Sequence, residues 1–122
     1  MQLAQAALRI LQSASLRAYP EEACGFLIGP RGTDDVDEAR ACPNLAPGPR
    51  VAAYLIEPLA YVRLEDELEG GARRLQGIFH SHPGAAATPS AVDADRALPD
   101  LLYLIQTVDP PCLLYTSDAA DE

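Results

Sequence analysis

The chain has 122 residues, 48% of them apolar, with 18 acidic against nine basic side chains and a formal net charge of −9. That length accommodates one domain around one core, the acidic balance argues against a nucleic-acid surface, and no apolar run is long enough to cross a bilayer. Three cysteines without regular spacing form neither a disulfide framework nor a C-x-x-C pair, and residues 1–9 lack the pattern of a secretory leader, so a reducing cytoplasm is expected.

Leu3, Ala6, Ala7, Ile10, Leu11 and Ala14 recur at helical spacing, which predicts an amphipathic helix from Gln2 to about Arg17, ending before Tyr19-Pro20. Glu22 to Ile28 reads as a strand, Gly29-Pro30-Arg31-Gly32 as a turn, and Val36 to Cys42 as a weaker second strand. Pro43 to Arg50 is a Pro-rich loop, and Val51 to Ile56 is expected as another strand. Pro58 suits the first turn of a helix that Gly70-Gly71 stops. Leu75 to Phe79 is a short apolar run read as a buried strand, and Leu101 to Val108 is a continuous apolar run suited to an interior strand. Helices alternating with strands predict an α/β domain with a mixed central sheet flanked by helices.

The segment His80-Ser81-His82 holds both histidines of the chain, and on an extended strand they face the same way. Ser90 and Asp93 follow in a stretch read as the start of an Ala-rich helix running to Arg96. Two neutral imidazoles and a carboxylate are the donor types of a catalytic zinc site, which uses three protein ligands and keeps one position open. Each part also has a plain meaning. An H-x-H pair occurs as surface or packing histidines, and Ser-x-x-Asp occurs as a helix cap that satisfies free amide N–H groups.

Upstream, Tyr19-Pro20-Glu21-Glu22-Ala23-Cys24-Gly25-Phe26-Leu27-Ile28-Gly29 is a strand-like run with carboxylates at its start. Together with H-x-H, seven intervening residues and S-x-x-D, it resembles the JAMM (MPN+, JAB-type) zinc metallopeptidases of the small prokaryotic kind. The resemblance runs from the first helix to Val108. It implies a sheet between helices, related to cytidine deaminases, with zinc held by His80, His82 and Asp93. It places the active-site Glu on Glu22, two residues before the Cys, as general base, and makes Ser90 the donor to the oxyanion. Glu21, of opposite strand parity, reads as an exposed charge, and Cys24 as a packed small hydrophobe.

The implied activity is hydrolysis of the amide after the C-terminal Gly-Gly of a ubiquitin-like or sulfur-carrier protein, with no nucleic-acid or membrane partner. Three alternatives stand beside it. A deaminase-like zinc hydrolase needs H-x-E and P-C-x-x-C, and Pro111-Cys112-Leu113-Leu114-Tyr115 lacks the second cysteine. A metal-free binding module of the same fold would normally lack the ligands. The DNA-associated branch of the fold reads H-N-H-P-S-G at its histidines. Residues 112–122 read as translated adapter sequence, so the domain is expected to occupy 1–111, to be followed by a non-native tail, and to lack its last strand or strands.

Overall fold

The computed structural model describes residues 1–84, 100–109 and 112–118, the last seven and Asp109 through their backbone alone. Helix α1 (Gln5–Ala18) turns Ala7, Leu11 and Ser15 inward, each four residues after the last, so that they form one stripe. The buried Ser15 hydroxyl donates to the Leu11 carbonyl at 2.7 Å, which satisfies it within its own helix. Ile10, read from its spacing as part of that stripe, lies on the exposed side.

The strands β1 (Cys24–Pro30), β2 (Glu38–Cys42), β3 (Arg73–Pro83), β4 (Leu102–Asp109) and β5 (Cys112–Asp118) make one sheet in the order β2-β1-β3-β4-β5. The β3–β4 pair is parallel and the other neighbours antiparallel, so the sheet is mixed, as expected. The second helix, α2 (Pro58–Leu68), starts on its proline. α1 covers one face over Leu27, Val36, Ala39, Phe79 and Leu104. The other face carries Cys24, Phe26, Ile28, Ile78 and Tyr103 under Leu64 and Tyr61 of α2. There Phe26 and Tyr61 meet edge to face with centroids 5.0 Å apart.

Two features of β1 and β3 set where the histidines emerge and how closely the strands pack. The pairing shifts between Leu27 and Ile28, whose partners are Gly77 and Leu75, so Gln76 is an extra residue in β3. This bulge puts Leu75 and Ile78 on the same face although they are three residues apart, and from Ile78 onward the alternation carries His80 and His82 to the α2 side. The Gln76 amide nitrogen, displaced by the bulge, lies 2.8–3.0 Å from the carbonyls of Pro30, Thr33 and Asp35. Gly25 is the second feature: a Cβ there would lie 2.2 Å from the Arg40 carbonyl oxygen and 2.3 Å from the Phe79 ring. Gly25→Ala is expected to cost about 1–3 kcal/mol or more through overpacking. A lowered urea midpoint with an unchanged slope would display it, and an unchanged midpoint would show that β2 gives way freely.

At the sheet edge, Arg40 bonds Glu38 on its own strand and reaches Glu67 of α2 at 2.7 and 2.9 Å. Arg40 first, and Arg73 after it, hold the Glu38 carboxyl below its ordinary value. These ion pairs are half-buried to exposed, and they orient the edge more than they stabilise it.

Three expectations are corrected. Val51–Ile56 is not a strand; it is an irregular segment whose backbone groups at Ala53 and Leu55 bond the Asn44 side chain, so a ladder partner is pre-empted. Of its apolar side chains, Ile56 is buried against the α2 side of the core, whereas Val51 and Leu55 are exposed. The second strand starts at Glu38, two residues later than its pattern suggests, because Val36 instead forms an isolated parallel bridge with Leu3 and exchanges bonds with the chain's start. The first helix begins at Gln5 for the same reason: the Ala4 amide is engaged by the Val36 carbonyl at 2.8 Å. The antiparallel pairing of residues 112–118 with β4 does not bear on whether those residues are native. The expected helix from Ser90 lies outside the described residues.

Candidate functional site

At the C-terminal end of β3 the two histidines stand side by side, their Nε2 atoms 3.0 Å apart and their rings tilted by 58°. Their environments differ. His80 is fully buried and stacks on Tyr54, with centroids 4.5 Å apart and planes within 19°, whereas His82, nearer the strand's end, is half-buried. Pro83 follows directly and keeps His82 extended, so both imidazoles share the α2 face.

Glu22 enters from the residue pair just before β1. Cys24 and His80 are register partners, which sets Glu22 near the end of β3, and the Glu22 carboxylate together with both histidines offers three ligand atoms within 4.8 Å of one another. Glu22 is buried, at 5% exposure, whereas Glu21 beside it is exposed, so the parity argument separates the two as expected.

The backbone around Glu22 is clamped from two directions. On the side of β3, the Ser81 hydroxyl accepts from the Ala23 amide at 2.7 Å, and the Ser81 amide donates to the Ala23 carbonyl at 3.0 Å. On the loop side, the Glu22 amide donates to the Arg50 carbonyl at 2.7 Å, and the Glu22 carbonyl accepts from the Asn44 amide nitrogen at 3.0 Å. Sequence reasoning passed over Ser81, Asn44 and Tyr54. Ser81 could have been found as the middle residue of H-x-H, since strand alternation turns it to the face opposite the histidines and toward β1. Asn44 and Tyr54 carry no local signal, because their partners are far along the chain.

Cys24 shares the face of Glu22 and is buried, and its thiol is pushed up to about 12 by desolvation, then by Cys42 and Glu22. A thiol held protonated at neutral pH is a poor nucleophile, in line with its reading as a packing residue. Of the five residues read as functional from the sequence, the structure brings together Glu22, His80 and His82; Ser90 and Asp93 lie outside the described residues. Among the described residues, no helix is long and apolar enough to cross a membrane.

The sequence model of the family described as prokaryotic homologs of the JAB domain matches residues 4–119. The chain is 37% identical over 91 residues to a Haloferax volcanii protein named desampylase, covering 74% of this chain and 65% of that one. It is 36% identical over 94 residues to a Thermus thermophilus protein named probable TtuB-protein conjugate cleaving protease, with 77% and 61% covered. A Mycobacterium tuberculosis CysO-cysteine peptidase is 32% identical over 96 residues, with 77% and 64% covered. The chain thus spans somewhat less than two thirds of the length of these relatives. A solution structure of a Desulfitobacterium hafniense protein superposes with a TM-score of 0.80 at 28% identity, covering 96% of this chain and 81% of that one.

Proposed function

Because the chain belongs to the family of prokaryotic homologs of the JAB domain, we propose that it is a zinc-dependent peptidase that hydrolyses the amide after the C-terminal Gly-Gly of a ubiquitin-like or sulfur-carrier protein. The observation that carries this reading is the convergence of Glu22, His80 and His82 within 4.8 Å. Relatives named for cleaving TtuB–protein conjugates and for a CysO-cysteine peptidase activity support the choice of substrate class.

The donor set suits zinc. Neutral imidazole nitrogen and carboxylate oxygen are its ordinary ligands, and two nitrogens each about 2.0–2.1 Å from one tetrahedral ion lie about 3.3 Å apart, close to the 3.0 Å between the two Nε2 atoms. His80, His82 and Asp93 are assigned as the ligands. Zinc bound there would supply a Lewis acid for the scissile carbonyl and acidify a water. Glu22 is assigned as general base: it takes the proton of the attacking water and returns one to the departing amine. Ser90 is assigned to donate a hydrogen bond to the oxyanion. The water attacks the carbonyl directly, so Cys24 has no part in the chemistry.

Free Cys24 and Cys42 suit a reducing compartment, which supports the cytoplasm as the site of action. Residues 1–111 are taken as the native domain and 112–122 as a tail of foreign origin, a reading that rests on the string itself; genomic reads that continue it across independent copies of the gene would remove it.

The test is to load the protein with zinc and offer it a carrier ending in Gly-Gly joined through an amide either to cysteine or to a lysine side chain. Release of the carrier with a free Gly-Gly terminus is expected, read by intact mass. A zinc-loaded chain that cleaves neither substrate overturns the proposal.

A further inference from the structure

Glu22 sits in a dipeptide whose four backbone polar groups are all engaged, two by Ser81 and two by the loop between β2 and α2. The loop half depends on one side chain. Asn44 Nδ2 donates to the Glu22 carbonyl at 3.0 Å and to the Ala53 carbonyl at 2.9 Å, while Asn44 Oδ1 accepts from the amides of Ala46 at 3.0 Å and Leu55 at 3.1 Å. An amide side chain carries two donors and two acceptor sites, and all four are used.

Each of these bonds does something different to the site. Those to Ala46 and Leu55 close the loop on itself, with the Leu45 amide donating to the Leu55 carbonyl at 2.9 Å beside them. The bond to Ala53 fixes the residue before Tyr54, whose ring lies on His80. The bond to Glu22 joins this closed loop to the carboxylate-bearing residue, and the same loop returns a second contact through the Arg50 carbonyl. The loop therefore touches the site at Glu22 and, through Tyr54, at His80, and Asn44 is the side chain common to both routes.

We infer that Asn44 is a positioning residue: it locks the loop from Pro43 to Glu57 and, through it, holds the Glu22 backbone and the Tyr54 ring in register with the two histidines. The inference rests on the role proposed for Glu22. A carboxylate that must reach a water and then an amine tolerates little displacement, since misplacement of about 1 Å costs on the order of 100-fold in rate. Asn44 touches neither the histidine nitrogens nor the Glu22 carboxylate, so its effect passes through geometry.

The experiment compares wild type, Asn44→Ala and Asn44→Asp by amide hydrogen exchange, zinc content and steady-state cleavage of a Gly-Gly–cysteine fusion. In Asn44→Ala, the amides of Ala46 and Leu55 lose their acceptor and are expected to exchange at least about tenfold faster, as for loss of one net hydrogen bond; the Glu22 amide, held by the Arg50 carbonyl of the unlocked loop, is expected to exchange faster with them, while the Ala23 amide, held by Ser81, keeps its protection. Zinc per chain is expected to stay the same, and kcat to fall about 10–100-fold with KM within about twofold. Asn44→Asp keeps an acceptor for Ala46 and Leu55 but loses the donors to Glu22 and Ala53. It is expected to preserve protection at Ala46 and Leu55 and still lose kcat, a pattern that a merely structural role would not produce.

Unchanged exchange at Glu22 in Asn44→Ala overturns the inference, as does a wild-type kcat per folded, zinc-loaded chain in either variant. If wild type itself cleaves nothing, the peptidase reading falls, and the exchange measurements still decide whether Asn44 holds Glu22.

Discussion

Glu22→Gln is expected to keep its zinc and lose about 10²–10⁴-fold in turnover, the range that a positioned general acid–base contributes. The substitution preserves volume and leaves in place the backbone bonds of Glu22 to Arg50 and Asn44 and those of Ala23 to Ser81, so the change falls on the carboxylate. The measurement pairs zinc per chain with kcat, and it separates two uses of the same carboxylate. Glu22 lies within 4.8 Å of the histidine nitrogens, close enough to serve as a ligand itself. A Glu22→Gln variant that loses zinc in parallel with activity would convert Glu22 from base to ligand. One that keeps both zinc and activity would remove it from the chemistry.

His82→Ala should lose both metal and turnover. A coordinating imidazole supplies one of only three protein donors in a catalytic zinc site, so its removal should exceed the about 10–100-fold loss of affinity that follows loss of an outer-shell partner. His82 is the better choice for this test because it is half-buried near the end of β3. His80 is fully buried under Tyr54, and its truncation would leave a cavity beside Ile78 and confuse loss of metal with loss of fold. Zinc retained after dialysis against a weak chelator, read against an unchanged far-UV spectrum, checks the prediction. Stoichiometric zinc in His82→Ala would exclude the histidine pair as the metal site.

Much of this site was legible because its parts are local. H-S-H needs only the strand period to place two imidazoles on one face and Ser81 on the other, and the apolar run before it needs only burial to become β3. Glu22 was separable from Glu21 by the same parity. Gly25 shows why the Glu-x-Cys-Gly pattern has its last residue: a Cβ would meet β2 on one side and Phe79 on the other. The failures fall where partners are distant or where a local signal has two causes. The run Val51–Ile56 has strand-like composition, yet Asn44 takes backbone groups of Ala53 and Leu55, and of its large apolar side chains Ile56 is buried while Val51 and Leu55 are exposed. The bulge at Gln76 has no mark in the sequence, although it decides the face on which the histidines emerge.

Residue order alone dictated the chemistry available: two imidazoles at strand spacing, a carboxylate before Cys-Gly, and an acidic, Lys-free composition. Side-chain type and strand period are properties of neighbouring residues, and they survive without knowledge of the fold. That Glu22 meets His80 and His82 emerged from the folded chain, because the meeting depends on antiparallel pairing of β1 with β3 and on a bulge that resets parity. The same packing selects the groups that hold Glu22 still. Ser81 lies 58 residues from Ala23, and Asn44 22 residues from Glu22, and hydrogen bonds of that reach are set by which strands and loops pack together.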